Sequence, residues 1–135
     1  MPPEFECRRE VVLPATPEEV WEAVATTAGK LPARWVIHTV GPVYAMREDR
    51  SALLADCHRN SLAVADELGA ESVAFPAIST GVYGWPMDGA ARIALGTVRE
   101  TDTSVRQIRF VLFDARALTA FEHASSELGI QISRQ

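Results

Sequence analysis

Ser72-Val73-Ala74-Phe75-Pro76-Ala77-Ile78-Ser79-Thr80-Gly81-Val82-Tyr83-Gly84-Trp85-Pro86 is the stretch on which the fold turns. Ser72 to Phe75 is a short apolar run of the kind that forms a buried strand. Small residues and two glycines follow as a loop. A helical pattern then runs from about Met87 to Glu100, with Ile93, Leu95 and Val98 among its apolar positions. Gly81 and Gly84 let backbone N–H groups converge without Cβ obstruction, and converging N–H groups at a helix N-terminus bind phosphate. On spacing alone, an ordinary tight turn is an equal reading.

Working outward, Arg34 to Val40 is an apolar run ended by Gly41-Pro42 and reads as a buried strand. From Glu48 to Leu68, Leu53, Leu54, Cys57, Leu62, Val64, Ala65 and Leu68 recur at helical spacing, with Gly69 placed to cap the C-terminus. Gln107 to Phe113 reads as a further strand and Ala115 to Leu128 as a last helix, while Ile130 to Ile132 is too short to assign. Upstream, Phe5 to Leu13 reads as a half-exposed strand with imperfect alternation. Thr16 as N-cap, Pro17 in the first turn and Glu19 then start a short helix that Gly29 and Pro32 stop. Strands alternating with helices imply an α/β fold with helices packed on the sheet. Parallel pairing is expected among the strands near 34–40, 72–75 and 107–113. Ligands in such sheets bind beyond the carboxyl ends of the strands, which selects the loops after Val40, Phe75 and Phe113.

The 135 residues suffice for one domain with a core of its own, and 47% hydrophobic with 23% charged residues is a globular composition. A formal charge of −5 repels phosphate backbones, so no nucleic-acid partner is expected. Nothing approaches the roughly 20 apolar residues of a membrane span. Cys7 and Cys57 make neither a disulfide framework nor a zinc cluster, and a reducing, cytoplasmic setting is the simpler reading. No cofactor and no metal are called for.

Ser72 to Gly84 strongly resembles the second phosphate-binding loop of macrodomains, the fold that binds ADP-ribose. The resemblance runs back through Leu31-Pro32-Ala33-Arg34-Trp35-Val36-Ile37-His38-Thr39-Val40-Gly41-Pro42 and Cys57-His58-Arg59-Asn60-Ser61-Leu62. It runs forward to Phe110-Val111-Leu112-Phe113-Asp114, so that about 22–127 is similar to the C-terminal two-thirds of the family. It implies a three-layer sandwich around a mostly parallel or mixed central sheet. It also implies that Ser79, Thr80, Gly81, Val82, Tyr83 and Gly84 wrap the diphosphate and proximal ribose of ADP-ribose or a related nucleotide diphosphate, with Phe113 and Asp114 near the adenosine. Tyr83 would cover the ribose; its alternative role is a lid packed on Trp85 or Pro86.

The family's opening part, with its adenine-binding aspartate, asparagine-rich strand end and glycine run, has no counterpart in this reading. The chain holds no Gly-Gly pair, and its only asparagine is Asn60, in mid-helix. No catalytic residue is therefore assigned. The segment 5–21 instead resembles the first strand and short helix of START-like helix-grip domains, which divides the chain into residues 1–21 and a truncated macrodomain-like region, 22–135, in one compact unit. Three functions follow: a weak ADP-ribose-binding module, an ADP-ribosyl hydrolase or O-acetyl-ADP-ribose deacetylase, or a recombined fold without evolved activity. Sheet edges left open by the replaced part imply a homo-oligomer with Phe5 to Trp21 in the contact.

Other reactive side chains take plainer readings. His38 reads as a hydrogen-bonded core histidine, His58 and His123 as exposed or half-buried, and Cys57 as an inert core thiol. Asp88 reads as a carboxylate serving the helix dipole.

Overall fold

The computed structural model describes residues 23–134. In chain order it contains β1 (Val24–Thr27), β2 (Trp35–His38), α1 (Ser51–Leu68), β3 (Ser72–Phe75), α2 (Met87–Glu100), β4 (Gln107–Phe110) and α3 (Ala115–Leu128). β3 and β4 pair in parallel with Phe75 opposite Phe110. The Val111 N–H extends that ladder by donating to the Phe75 carbonyl at 2.8 Å. β1 and β2 pair antiparallel, with Val24 opposite His38.

Helix limits follow from local chemistry. α1 and α3 end at Gly69 and Gly129, both left-handed at φ 71° and 68°, a conformation glycine takes without a Cβ penalty. Asp114 caps α3, its carboxylate accepting the Ala117 N–H at 2.9 Å. Asp88 sits in the first turn of α2, where a carboxylate complements the helix dipole.

Strand alternation sets the core. Val73 and Phe75 of β3, with Ile108 and Phe110 of β4, turn toward the helices, while Ser72, Ala74, Gln107 and Arg109 are exposed. Leu62 and Ala65 of α1 pack with Phe75 and Val105, and Ile37 of β2 joins the same cluster. Ala91, Ala94 and Leu95 of α2 meet Ala120, Phe121 and Ala124 of α3, with Phe110 and Leu112 against them. Phe110 thus belongs to both clusters, its ring centroid 5.7 Å from Phe75 and 5.1 Å from Phe121. The C-terminal end of α1 is tied to the segment before β4 through Asp66. Its Oδ1 accepts the Thr103 hydroxyl at 2.7 Å and the Ser104 N–H at 3.0 Å, and these bonds hold the carboxyl below the usual carboxylate range.

Two expectations change. The strand within Arg34 to Val40 bonds to β1 and not to β3, so the described strands form two two-stranded sheets rather than one containing all three. The residues before Gly29, read as the end of a helix, are β1 instead. Val24, Thr26 and Thr27 are β-branched, and the ladder with β2 is a tertiary partner that helical punctuation does not reveal. The strand Phe5 to Leu13 and the helix start at Thr16 lie outside the described residues. Among the described residues, no helix is long and apolar enough to cross a membrane.

Candidate functional site

Two of the three loops selected from the sequence are stitched together. A Cβ on Gly41 would lie 2.2 Å from Ser79 Oγ and 2.8 Å from Ile78 Cγ2, so glycine lets the segment after β2 abut the loop after β3 without displacing those side chains. The Tyr44 N–H donates to the Tyr83 carbonyl at 2.8 Å, and the Trp85 indole N–H donates to the Pro42 carbonyl at 3.0 Å. Trp85 is buried beside Leu54 and Ala90 and meets the Tyr44 ring edge-on at 5.3 Å. The loop after β3 is thereby pinned at its helix end by an indole.

Within that loop the chain turns back on itself twice. The Thr80 hydroxyl donates to the Ala77 carbonyl at 2.7 Å, the Trp85 N–H to the Ser79 carbonyl at 3.1 Å, and the Gly84 N–H to the Gly81 carbonyl at 3.0 Å. Gly84 is left-handed at φ 77°; Ser79, at φ 68°, is the one non-glycine with positive φ among the described residues. Holding a serine there costs about 1 to 3 kcal/mol and marks a loop whose shape its surroundings impose. Among the described residues, the N–H groups of Ser79, Gly81, Val82 and Tyr83 make no backbone hydrogen bond, and Ser79 Oγ is buried without a partner. Donors without a backbone partner in the loop that leads into the N-terminus of α2 suit an anion. The Cβ directions of Gly81 and Gly84 are open, with nothing within 4 Å of a Cβ built on either.

Val82 is 99% exposed and Tyr83 partly so. The aromatic neighbour of Trp85 is Tyr44, while Tyr83 serves the anchor through its carbonyl. Phe113, also 99% exposed, and Asp114 follow β4. Parallel pairing puts them at the carboxyl end of the sheet with Ser79 to Gly84, but among the described residues no hydrogen bond or ring contact joins the two groups.

The remaining reactive groups are accounted for structurally, with two corrections. His58 is buried rather than exposed: Nδ1 is 3.0 Å from the Leu54 carbonyl, Nε2 has no partner, and the ring lies 5.2 Å from Phe75. Burial pushes its pKa down. His38 is hydrogen-bonded, its Nε2 lying 2.8 Å from Thr26 Oγ1, yet the side chain is exposed and not in the core. Cys57 is buried, donates to the Val40 carbonyl at 3.2 Å, and has its pKa raised by burial. His123 is exposed, 3.2 Å from Glu127. No group of three potential metal ligands occurs among the described residues. Gly41 and Tyr44 were missed in the sequence, where Gly41-Pro42 signalled only the end of a strand.

The Macro domain family model matches residues 3–94, more than half of the sequence. The chain belongs to the Macro domain family. The match takes in 5–21, and nothing in the comparisons supports a START-like origin for that segment. This macrodomain is 75% identical over 99 residues to the Macro domain-containing protein SCO6450 of Streptomyces coelicolor, covering 73% of this chain and 59% of that one. It is 47% identical over 113 residues to an O-acetyl-ADP-ribose deacetylase of Citrobacter rodentium, covering 81% and 64%. Its α/β fold matches the Oceanobacillus iheyensis macrodomain with ADP at TM-score 0.76 and 36% identity, over 81% of this chain and 59% of that one. The Trypanosoma brucei macrodomain in complex with ADP-ribose matches at TM-score 0.66 and 36% identity, over 75% and 44%. The chain spans about three-fifths of the length of the curated relatives it matches.

Proposed function

We propose that this macrodomain is a binding module for ADP-ribose or a related nucleotide diphosphate. Ser79, Thr80, Gly81, Val82, Tyr83 and Gly84 hold the diphosphate and proximal ribose, and Phe113 and Asp114 stand beside the adenosine. The observation that carries this reading is the loop itself, a pinned turn whose Ser79, Gly81, Val82 and Tyr83 N–H groups have no backbone partner among the described residues and whose glycines are unobstructed. Solved macrodomains with ADP and ADP-ribose among its structural neighbours support it. Affinity is weak, because the sequence provides one phosphate loop and no glycine run for a second, and its charge of −5 opposes an anion at long range. Dissociation constants of about 0.1 to 1 mM correspond to roughly −5 to −4 kcal/mol. Calorimetry with ADP-ribose tests this: a small saturable heat is expected, and no heat and no thermal shift at millimolar ligand overturns it.

A second reading, removal of ADP-ribose from proteins or of acetyl from O-acetyl-ADP-ribose, draws on the likeness to the Citrobacter deacetylase. Against it stand the single asparagine, Asn60, within α1, and the lack of any Gly-Gly pair. Prolonged incubation with O-acetyl-ADP-ribose and with an ADP-ribosylated protein discriminates, and unchanged substrates rule it out.

A further inference from the structure

Charge is distributed unevenly along the chain. No Asp or Glu occurs from Ala23 to Arg47, although the whole sequence carries −5. Most of that stretch folds as the β1–β2 hairpin, and its turn, Gly29 to Arg34, is exposed throughout. Lys30 and Arg34 stand in this turn without an acidic partner, since the ion pairs of the described residues lie elsewhere, on Arg50, Arg59, Arg92, His123 and Arg134. The turn is preformed. Gly29 is left-handed at φ 59°, the Leu31 N–H donates to the Ala28 carbonyl at 3.1 Å, and the Ala33 N–H to the Leu31 carbonyl at 2.7 Å. Arg34 is itself held in place, its guanidinium 4.5 Å from the Trp35 ring centroid. Apolar side chains are left in water along the same hairpin, Leu31 in the turn at 60% exposure and Val24 at the start of β1 at 48%. β1 has β2 as its only strand partner among the described residues, so its other edge offers backbone groups to a further strand.

We propose that this hairpin docks an extended acidic segment of a partner protein, which adds a strand to the open edge of β1 and sets carboxylates on Lys30 and Arg34. In this mode main-chain bonds supply binding and alternate side chains supply choice. Apolar residues of the segment cover Val24 and Leu31. Its carboxylates meet two cations that no acid of the chain engages, one of them a guanidinium suited to bidentate pairing. A nucleic acid fits less well. Its affinity rests on many phosphate contacts along a basic track, whereas this turn holds two cations on a chain of net −5. Arg34 also occupies a face of Trp35 on which a base would stack. A second copy, the homo-oligomer expected from open sheet edges, is the rival occupant. The turn precedes β2, while Gly41, beyond the carboxyl end of β2, is the residue that meets Ser79. The hairpin surface and the Ser79 to Gly84 loop therefore lie at opposite ends of β2 and can be probed apart.

Fluorescence anisotropy on the full chain tests this with a dye-labelled peptide about six residues long that alternates Glu with Val. A counterpart with Lys in place of Glu and an oligothymidylate of similar length serve as comparisons. Saturable binding of the Glu peptide is expected, weakened by added salt and about tenfold by Lys30→Ala and Arg34→Ala together. Both side chains are exposed, so the double variant should fold as its parent does. Amide NMR with the peptide should shift Val24 to Thr26 and Lys30 to Arg34 and leave Gly81 to Gly84 unmoved. No binding at millimolar peptide, equal binding of the Lys peptide, unchanged affinity in the double variant, or shifts confined to Gly81 to Gly84 each overturn the proposal. Tighter binding of the oligothymidylate that depends on Lys30 and Arg34 overturns it in favour of a nucleic acid. A dimer mass in light scattering that the double variant returns to a monomer overturns it in favour of a second copy.

Discussion

Phe75 and Phe110 face the helices with their rings 5.7 Å apart, His58 beside them and Phe121 against Phe110, whereas Val82 and Phe113, beyond the ends of the same two strands, are 99% exposed. Apolar residues of similar type thus serve two ends of one sheet differently. At the helix-covered end their burial holds the fold together. At the loop end they are already in water, so their removal should change little in stability, and under the proposed function it should show itself in binding.

The largest effect should come from Phe110, the ring shared by both clusters. Phe110→Ala should lower stability by about 3 to 5 kcal/mol in urea denaturation, the range for a large core aromatic, and a loss under about 1 kcal/mol would break the contrast. Gly84→Val comes next. Its Cβ meets nothing within 4 Å, so the cost is backbone strain at φ 77°, roughly 1 to 3 kcal/mol, and a reshaped loop. Calorimetric heat with ADP-ribose should vanish, and parental binding would show that the loop is not the site.

His58 sharpens the comparison through pH. Burial lowers its folded pKa below the ordinary 6.5, so the unfolded chain binds the proton more readily. Its contribution is fully present above pH 6.5 and is lost as pH falls through the lowered folded value, with a slope of at most about 1.4 kcal/mol per pH unit. His58→Leu should flatten that part of the stability curve measured by denaturant titration. An unchanged curve would mean that the ring titrates alike in both states. Phe113→Ala should have the smallest effect on the fold, within about 0.5 kcal/mol, while weakening ADP-ribose binding severalfold. A fall of several degrees in Tm would instead make Phe113 structural.

The helices were legible because their signals are local. Gly69 and Gly129 stop two of them and Asp114 starts one. β3 was legible as a short apolar run between turn residues. β1 was not, since Val24-Ala25-Thr26-Thr27 follows helix-starting residues and becomes a strand only through pairing with β2. His58 was misplaced although the signal was present: it lies four residues after Leu54 and four before Leu62, on the buried stripe of α1. Ser79 to Gly84 was visible as a glycine-bearing loop between a strand and a helix. Its pinning by Gly41, Pro42 and Tyr44 was not, because contacts made some forty residues away leave no periodicity.

Trp85 carries a practical consequence. A buried indole that donates to a carbonyl across the loop junction and meets a tyrosine edge-on is an internal fluorophore placed at the candidate site. Its emission should be blue-shifted and shielded from iodide quenching, while half-exposed Trp35, with the Arg34 guanidinium 4.5 Å from its ring centroid, should contribute a red-shifted, quenchable signal, and a Trp21→Phe background removes the third indole, which lies outside the described residues. Excitation energy absorbed by Tyr44 should pass to Trp85 over their 5.3 Å separation, and a Tyr83→Phe variant isolates that transfer from the tyrosine within the loop.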